Sequence, residues 1–228
     1  MFTVIADTPD FVVVDKKSGL SFHNNADETG FFNGVKAGLN LPELYTVHRL
    51  DRITSGIIIL AKNRHTAAAM GELFASRKIS KYYVALSDKK PSKKMGTIRG
   101  DMIRARDGAW RLTRGTENPA VTKFISTQIC SGLYLFIIRP LTGRTHQIRV
   151  AMKSLGSPIL GDSTYGGSPS ERGYLHSFLI SFTLENVDYC YKSVPSGGDK
   201  FIDDEIINIL SRFDESNADN YFSQGLKL

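Results

Sequence analysis

His48-Arg49-Leu50-Asp51-Arg52-Ile53-Thr54-Ser55-Gly56 runs straight into Ile57-Ile58-Ile59-Leu60-Ala61. The second half is a continuous, β-branched apolar run behind a glycine, which predicts a buried strand over 57–61. The polar nonapeptide therefore lies at the entrance of that strand. Asp51 is flanked by Arg49 and Arg52 and followed by Thr54 and Ser55. Cations and hydroxyl donors favour an ionised carboxylate, the state in which it acts as nucleophile or general base. The same setting also suits an Asp that only caps a turn and pairs with a surface arginine, the commoner use of such a residue.

Upstream, Val4 to Asp15 reads as two strands around a Thr8-Pro9-Asp10 turn, closed by a Lys16-Lys17-Ser18-Gly19 turn. Residues 24–46 are rich in Gly and Asn and read as a surface loop with at most a short helical turn. Downstream, Asn63 caps a helix whose Ala67, Met70 and Phe74 share one face. Tyr82 to Leu86 is a strand, so Tyr82 and Tyr83 point to opposite faces. Lys89 to Glu117, cationic and broken by glycines, reads as hairpins or loops reaching away from the core. Val121–Thr127 and Leu133–Arg139 are paired strands, and a helix follows Thr145 with Ile148, Ala151, Met152 and Leu155 on its buried stripe. Tyr174 to Phe182 resumes strand character. The acidic end holds one helix, 205–213, docked by Ile206, Ile209 and Leu210, and its last dozen residues are expected to be disordered.

Five segments in order carry a resemblance. Around Asp51 stands H-R-L-D-R-I-T-S-G; Lys81-Tyr82-Tyr83-Val84-Ala85-Leu86 resembles K-x-Y-x-A-L; Gly143 to Val150 reads G-R-T-H-Q-I-R-V. Gly161-Asp162 with Tyr165-Gly166 gives G-D-x-x-Y-G, and Arg172 with Leu175-His176 gives R-x-x-L-H. Together they are similar to the RluA-type family of RNA pseudouridine synthases. The pattern departs from the family at Lys17, where a proline is usual, and at Ser157, where a histidine is usual. Relatives often carry a small RNA-binding domain ahead of the first strand. Only a few residues precede it here, so a stand-alone catalytic domain is expected, 1–198, with 199–228 as an acidic helix and tail.

The resemblance implies an α+β pseudouridine synthase fold: a mixed, largely antiparallel, bent sheet with flanking helices, in two lobes around a central RNA cleft. Pattern alone supports only mixed α and β. The implied activity is isomerisation of specific uridines in structured rRNA or tRNA to pseudouridine, with no metal and no organic cofactor. Asp51 is the implied catalytic carboxylate, Arg149 the arginine that pairs with it, and Tyr83 the tyrosine that stacks on uracil. Arg49 and Arg144 are implied RNA contacts. His48, His146 and His176 belong to the motifs without evident chemistry, and Thr54, Ser55 and Gly56 are read as shaping the turn that presents Asp51.

The net charge of +6 is unevenly spread: residues 77–114 hold twelve Lys and Arg against Asp88, Asp101 and Asp107, so the remainder sums to −3. Such a basic sector suits a polyanion, and Lys89, Lys90, Lys93 and Lys94 are its candidate phosphate contacts. A solvated face would carry the same charges. Cys130 and Cys190 fit no metal or redox spacing. No apolar run approaches membrane-spanning length and the N-terminus lacks a signal-peptide pattern, so a cytoplasmic location is expected; a monomer is expected besides. The alternative from another class is a catalytically silent RNA-binding or chaperone protein on the same fold, against which the retention of Asp51, Tyr83 and Arg149 argues. A glycoside hydrolase would need two cooperating carboxylates, and Asp162 is only a weak second to Asp51.

Overall fold

The computed structural model describes residues 1–24 and 29–226. Its strands are β1 (Phe2–Asp7), β2 (Phe11–Lys16), β3 (Tyr45–Thr46), β4 (Thr54–Ala61), β5 (Ser80–Ser87), β6 (Met95–Gly100), β7 (Met102–Arg104), β8 (Trp110–Leu112), β9 (Ala120–Cys130), β10 (Leu133–Pro140), β11 (Leu175–Leu184) and β12 (Val187–Lys192). Its helices are α1 (Phe31–Gly38), α2 (Arg64–Ala75), α3 (Gln147–Ser154), α4 (Asp204–Arg212) and α5 (Glu215–Gln224). The chain divides into two compact units, Met1–Ser80 with His176–Pro195, and Lys81–Leu175 with Ser196–Leu228. The expected α+β class with a largely antiparallel sheet is what forms.

In the first unit the strand order is β1-β2-β4-β11, with β12 on β11 and β3 on β4. β4 is buried along all eight residues, as its apolar run predicts, and begins three residues early, taking in Thr54, Ser55 and Gly56. Register pairs Val13 with Ile59 and Lys16 with Gly56. One face gathers Phe11, Val13, Ile57, Ile59, Ile180 and Phe182 against Met70 of α2. The side-chain oxygen of Asn63 accepts from the Thr66 amide at 2.8 Å, the expected N-cap. The stretch read as loop contains α1, eight residues long, because Phe31 and Val35 are fully buried one turn apart. Residues 25–28, also in that stretch, lie outside the described residues.

In the second unit the order is β5-β10-β9-β6, antiparallel throughout, and β7-β8 form a separate hairpin. The cationic segment is thus only partly an extension: β6 is the sheet's edge strand, and 101–115 alone forms the hairpin arm. Over 217–226 the C-terminal end corrects the expected disorder, since α5 continues to Gln224, and residues 227–228 of that stretch lie outside the described residues. Phe213 and Phe222 meet the Tyr82 ring at 5.3 and 6.2 Å, and Arg139 lies over the same ring and pairs with Asp219 at 2.9 Å. Aromatic burial holds these acidic helices, and Asp203 and Asp214 cap them. Among the described residues no helix is long and apolar enough to cross a membrane.

Candidate active site

In the first unit, the turn that presents Asp51 is bonded at every carbonyl from 51 to 54. The Thr54 amide donates to the Asp51 carbonyl at 3.0 Å, and the Gly19 amide to that of Arg52 at 2.8 Å. The Ser18 hydroxyl donates to the Ile53 carbonyl at 2.6 Å, and Lys16 Nζ to that of Thr54 at 2.8 Å. Arg52 Nε returns a bond to the Gly19 carbonyl at 2.9 Å. Leu50 anchors the turn in the core, Asp51 is half-buried, and Arg49 and Arg52 are exposed. The backbone around the carboxylate therefore has little freedom, which is what preorganises a reacting group.

Lys16 was legible only as a turn residue, yet it is fully buried and its ammonium also reaches the carbonyls of Lys17 (3.1 Å) and Arg52 (3.4 Å). The missed signal is strand alternation: Val12, Val14 and Lys16 share a face, and Lys16 lies opposite Gly56, which leaves it room. The Lys17 amide donates to the Met1 carbonyl at 3.2 Å, a bond that a proline there could not make. Gly56 has φ 102°, and a Cβ there would lie 2.3 Å from the Ser177 carbonyl oxygen, so only glycine fits between β4 and β11.

Two motif histidines are staples. His48 Nε2 accepts from the Ile59 amide at 2.9 Å while its ring stacks on Phe74 at 4.7 Å. His176, almost fully buried, bonds Ser55 Oγ through Nδ1 (2.8 Å) and the Ser193 carbonyl through Nε2 (2.9 Å). Ser55 is thereby a strand-to-strand link buried from solvent.

In the second unit, Tyr82 faces the C-terminal helices, so alternation turns the buried Tyr83 to the other face of β5, with Lys81. Burial pushes the Lys81 ammonium below the usual lysine range. Arg149, in the first turn of α3, is buried and grips Asp162 as a fork: Nε to Oδ2 at 2.7 Å and Nη2 to Oδ1 at 2.8 Å. Asp162, read as a weak second carboxylate, is almost completely buried, and this pair defines its place. A guanidinium carries five N–H donors, so the fork does not exhaust Arg149. Its carbon also lies 4.8 Å from the centre of the Tyr165 ring.

Gln147, overlooked in the sequence, sets the start of α3. Its Oε1 accepts from Thr142 Oγ1 (2.7 Å) and the Arg144 amide (3.0 Å), and its Nε2 donates to the Val121 carbonyl (3.1 Å) and Thr122 Oγ1 (3.0 Å). A polar residue at the first position of a helix that must bury its next residues was the available clue. His146 before it adopts φ 57°, a left-handed conformation costly for a side-chain-bearing residue, and its Nδ1 bonds the Tyr165 hydroxyl at 2.9 Å.

The candidate RNA contacts of this unit are exposed: Lys89, Lys90, Lys93, Lys94 and Arg144. Their backbone is fixed nonetheless. Ser157, standing where the family usually has histidine, is fully buried and donates to the Lys89 carbonyl at 2.8 Å. The Ser92 amide donates to the Leu155 carbonyl at 3.0 Å, and the Ser126 amide and hydroxyl both donate to the Lys94 carbonyl. Arg144 donates to the Asn118 side-chain oxygen, and the Asn118 backbone N–H in turn donates to the Asp101 carboxylate. No cluster of three or more potential metal-ligating side chains occurs among the described residues.

Residues 10–154, which include the Asp51 turn and Arg149, match the family model of RNA pseudouridylate synthase. The chain belongs to that family. Among RNA pseudouridylate synthases its relatives include a Haemophilus influenzae protein named an uncharacterized RNA pseudouridine synthase, 46% identical over 201 residues, covering 87% of this chain and 90% of that one. A Rickettsia conorii protein named ribosomal large subunit pseudouridine synthase C is 30% identical over 171 residues, but this chain spans only 56% of its length. In fold, the chain resembles human RNA pseudouridylate synthase domain containing 1, with TM-score 0.72 at 23% identity over 93% of this chain and 96% of that one.

Proposed function

We propose that this synthase isomerises particular uridines of a structured RNA, ribosomal or transfer, and that Asp51 is its catalytic carboxylate. The observation that carries the reading is the Asp51 turn, in which every carbonyl from 51 to 54 is bonded while the carboxylate's neighbours Arg49 and Arg52 stay exposed. Pseudouridine formation breaks the bond from uracil N1 to ribose C1′, turns the base and joins C5 to C1′; the C5 proton then leaves and N1 takes one up. No group is imported and no electron is exchanged. The chemistry needs an ionised carboxylate held still, a cation to orient it, and an aromatic face for a base drawn out of its stack.

Asp51 takes the first role, Arg149 the second and Tyr83 the third, with Tyr83 or a water beside it receiving the C5 proton. Asp162 holds the guanidinium of Arg149, so the cation is itself preoriented. Arg49 stacks where the base has left or binds phosphate, and Lys89, Lys90, Lys93, Lys94 and Arg144 bind backbone phosphates. The enzyme is read as a cytoplasmic monomer without metal or organic cofactor.

The test is to map pseudouridine across total RNA from cells with and without the gene, then to supply the identified RNA with 5-fluorouridine at the target. Fluorine cannot leave C5 as a cation, so the rearranged base should persist as a hydrated product or as an enzyme complex. A protein that only binds RNA would return the RNA unchanged, and a hydrolase would release 5-fluorouracil and leave an abasic site.

A further inference from the structure

The short turn Asp162 to Gly166 touches two things that the proposed reaction uses. Asp162 forks onto Arg149, and three residues along the chain the Tyr165 ring lies under the same guanidinium, 4.8 Å from its carbon. Tyr165 is buried at 2% exposure, and its hydroxyl accepts the backbone N–H of Trp110 at 2.9 Å. Trp110 opens β8 of the hairpin arm, whose Arg104, Arg106 and Arg111 are exposed, with Arg104 5.7 Å from the Trp110 ring. The second partner of the hydroxyl, His146 Nδ1, sits just ahead of α3, the helix that carries Arg149. One side chain thus meets the arm with its hydroxyl and Arg149 with its ring.

We propose that Tyr165 is a positioning residue that ties the basic hairpin to Arg149, so that RNA seated on the arm and the cation of the reacting centre are held by one ring. This rests on the RNA-isomerase reading above. The hydroxyl sets where the arm stands, and therefore how well RNA is held. The ring supports one face of the guanidinium while Asp162 fixes its edge, and therefore governs turnover. A tyrosine combines both because its flat face attracts a cation while its hydroxyl bonds at the rim.

Trp110 is the only tryptophan in the chain, so its fluorescence reports the arm without RNA or catalysis. The experiment compares wild type, Tyr165→Phe and Tyr165→Leu in acrylamide quenching of the free protein. It then measures initial rates of pseudouridine formation against the concentration of protein-free total RNA from cells lacking the gene. Tyr165→Phe should raise the quenching constant and raise apparent KM roughly fivefold, the effect of one hydrogen bond. Tyr165→Leu should in addition lower kcat roughly 10- to 100-fold, as expected for a displaced charged group. Unchanged quenching in Tyr165→Phe overturns the hold on the arm, and equal kcat in the Phe and Leu variants overturns the hold on Arg149. Should Tyr165→Leu fail to fold, the Phe variant alone decides, because a raised KM without greater Trp110 quenching contradicts the proposal. A wild-type protein that forms no pseudouridine defeats the RNA-isomerase reading instead, and the quenching comparison still answers for the arm.

Discussion

Arg149 and Asp162 meet as a buried two-point pair, Nε to Oδ2 at 2.7 Å and Nη2 to Oδ1 at 2.8 Å, with side chains 5% and 1% exposed. A fork of this kind fixes the plane of the guanidinium as well as its position, which a lysine could not do. Asp162→Asn keeps the shape but puts an NH2 group against a cation. It should cost about 3 kcal/mol of stability, the scale of a broken buried pair, and should lower kcat roughly 100-fold through misplacement of Arg149. Urea melts and single-turnover rates check this, and a variant that loses stability alone would make the pair purely structural.

Asp51→Asn should abolish turnover while melting temperature and RNA affinity stay near wild type. The change removes ionisable oxygen at a half-buried site and leaves the bonded carbonyls of 51 to 54 in place. More than a small residual rate would remove Asp51 from the catalytic role.

Lys16→Met should act on the same turn from beneath. The methionine fits the apolar face of β2 but takes its donor from the buried Thr54 carbonyl, at about 1–3 kcal/mol for such a group. Amide hydrogen exchange should quicken at Arg52 to Thr54 and turnover should fall with it. Unaltered exchange there would show that Ser18 and Gly19 suffice to hold the turn.

Neutralising Lys89, Lys90, Lys93 and Lys94 together should weaken RNA binding and flatten its salt dependence. Each lost phosphate contact takes about 0.7 to 0.9 from the log-log slope. Because Ser157, Leu155 and Ser126 fix the backbone of this segment, stability should barely change. A slope equal to that of wild type would mean that these lysines are only a solvated face.

Burial lowers the Lys81 pKa, so the folded protein binds this proton less readily than the unfolded chain. The penalty is whole at pH below the folded value and disappears as pH rises past the unfolded lysine value of about 10.4. Lys81→Met should therefore gain most stability relative to wild type near neutral pH, and the gain should shrink as pH is raised towards that value. Denaturant melts across the range test the sign. A gain that grows with pH would mean that a favourable partner, not burial, governs Lys81.

The sequence by itself determined what depends on local order. The apolar run 57–61 predicts a strand because nothing but burial on both faces accommodates such residues, and Asn63 before Ala67 and Met70 predicts the start of α2. The family, too, was legible, because its motifs are contiguous strings around Asp51, Tyr83 and Arg149. What only the tertiary structure decided are the partners. Lys16 finds the carbonyls of 52 and 54, Arg149 finds Asp162, Ser55 finds His176, and Gly56 is excluded from bearing a side chain by Ser177. The last dozen residues likewise read as disordered because their polar and acidic residues dominate their composition, while the buried Phe213 and the half-buried Phe222 become anchors only once Tyr82 is beside them. A hydrogen bond or an aromatic contact is satisfied by any partner of the right chemistry. Which one it receives depends on strand register and chain crossing, and these are set by the packing of the whole core.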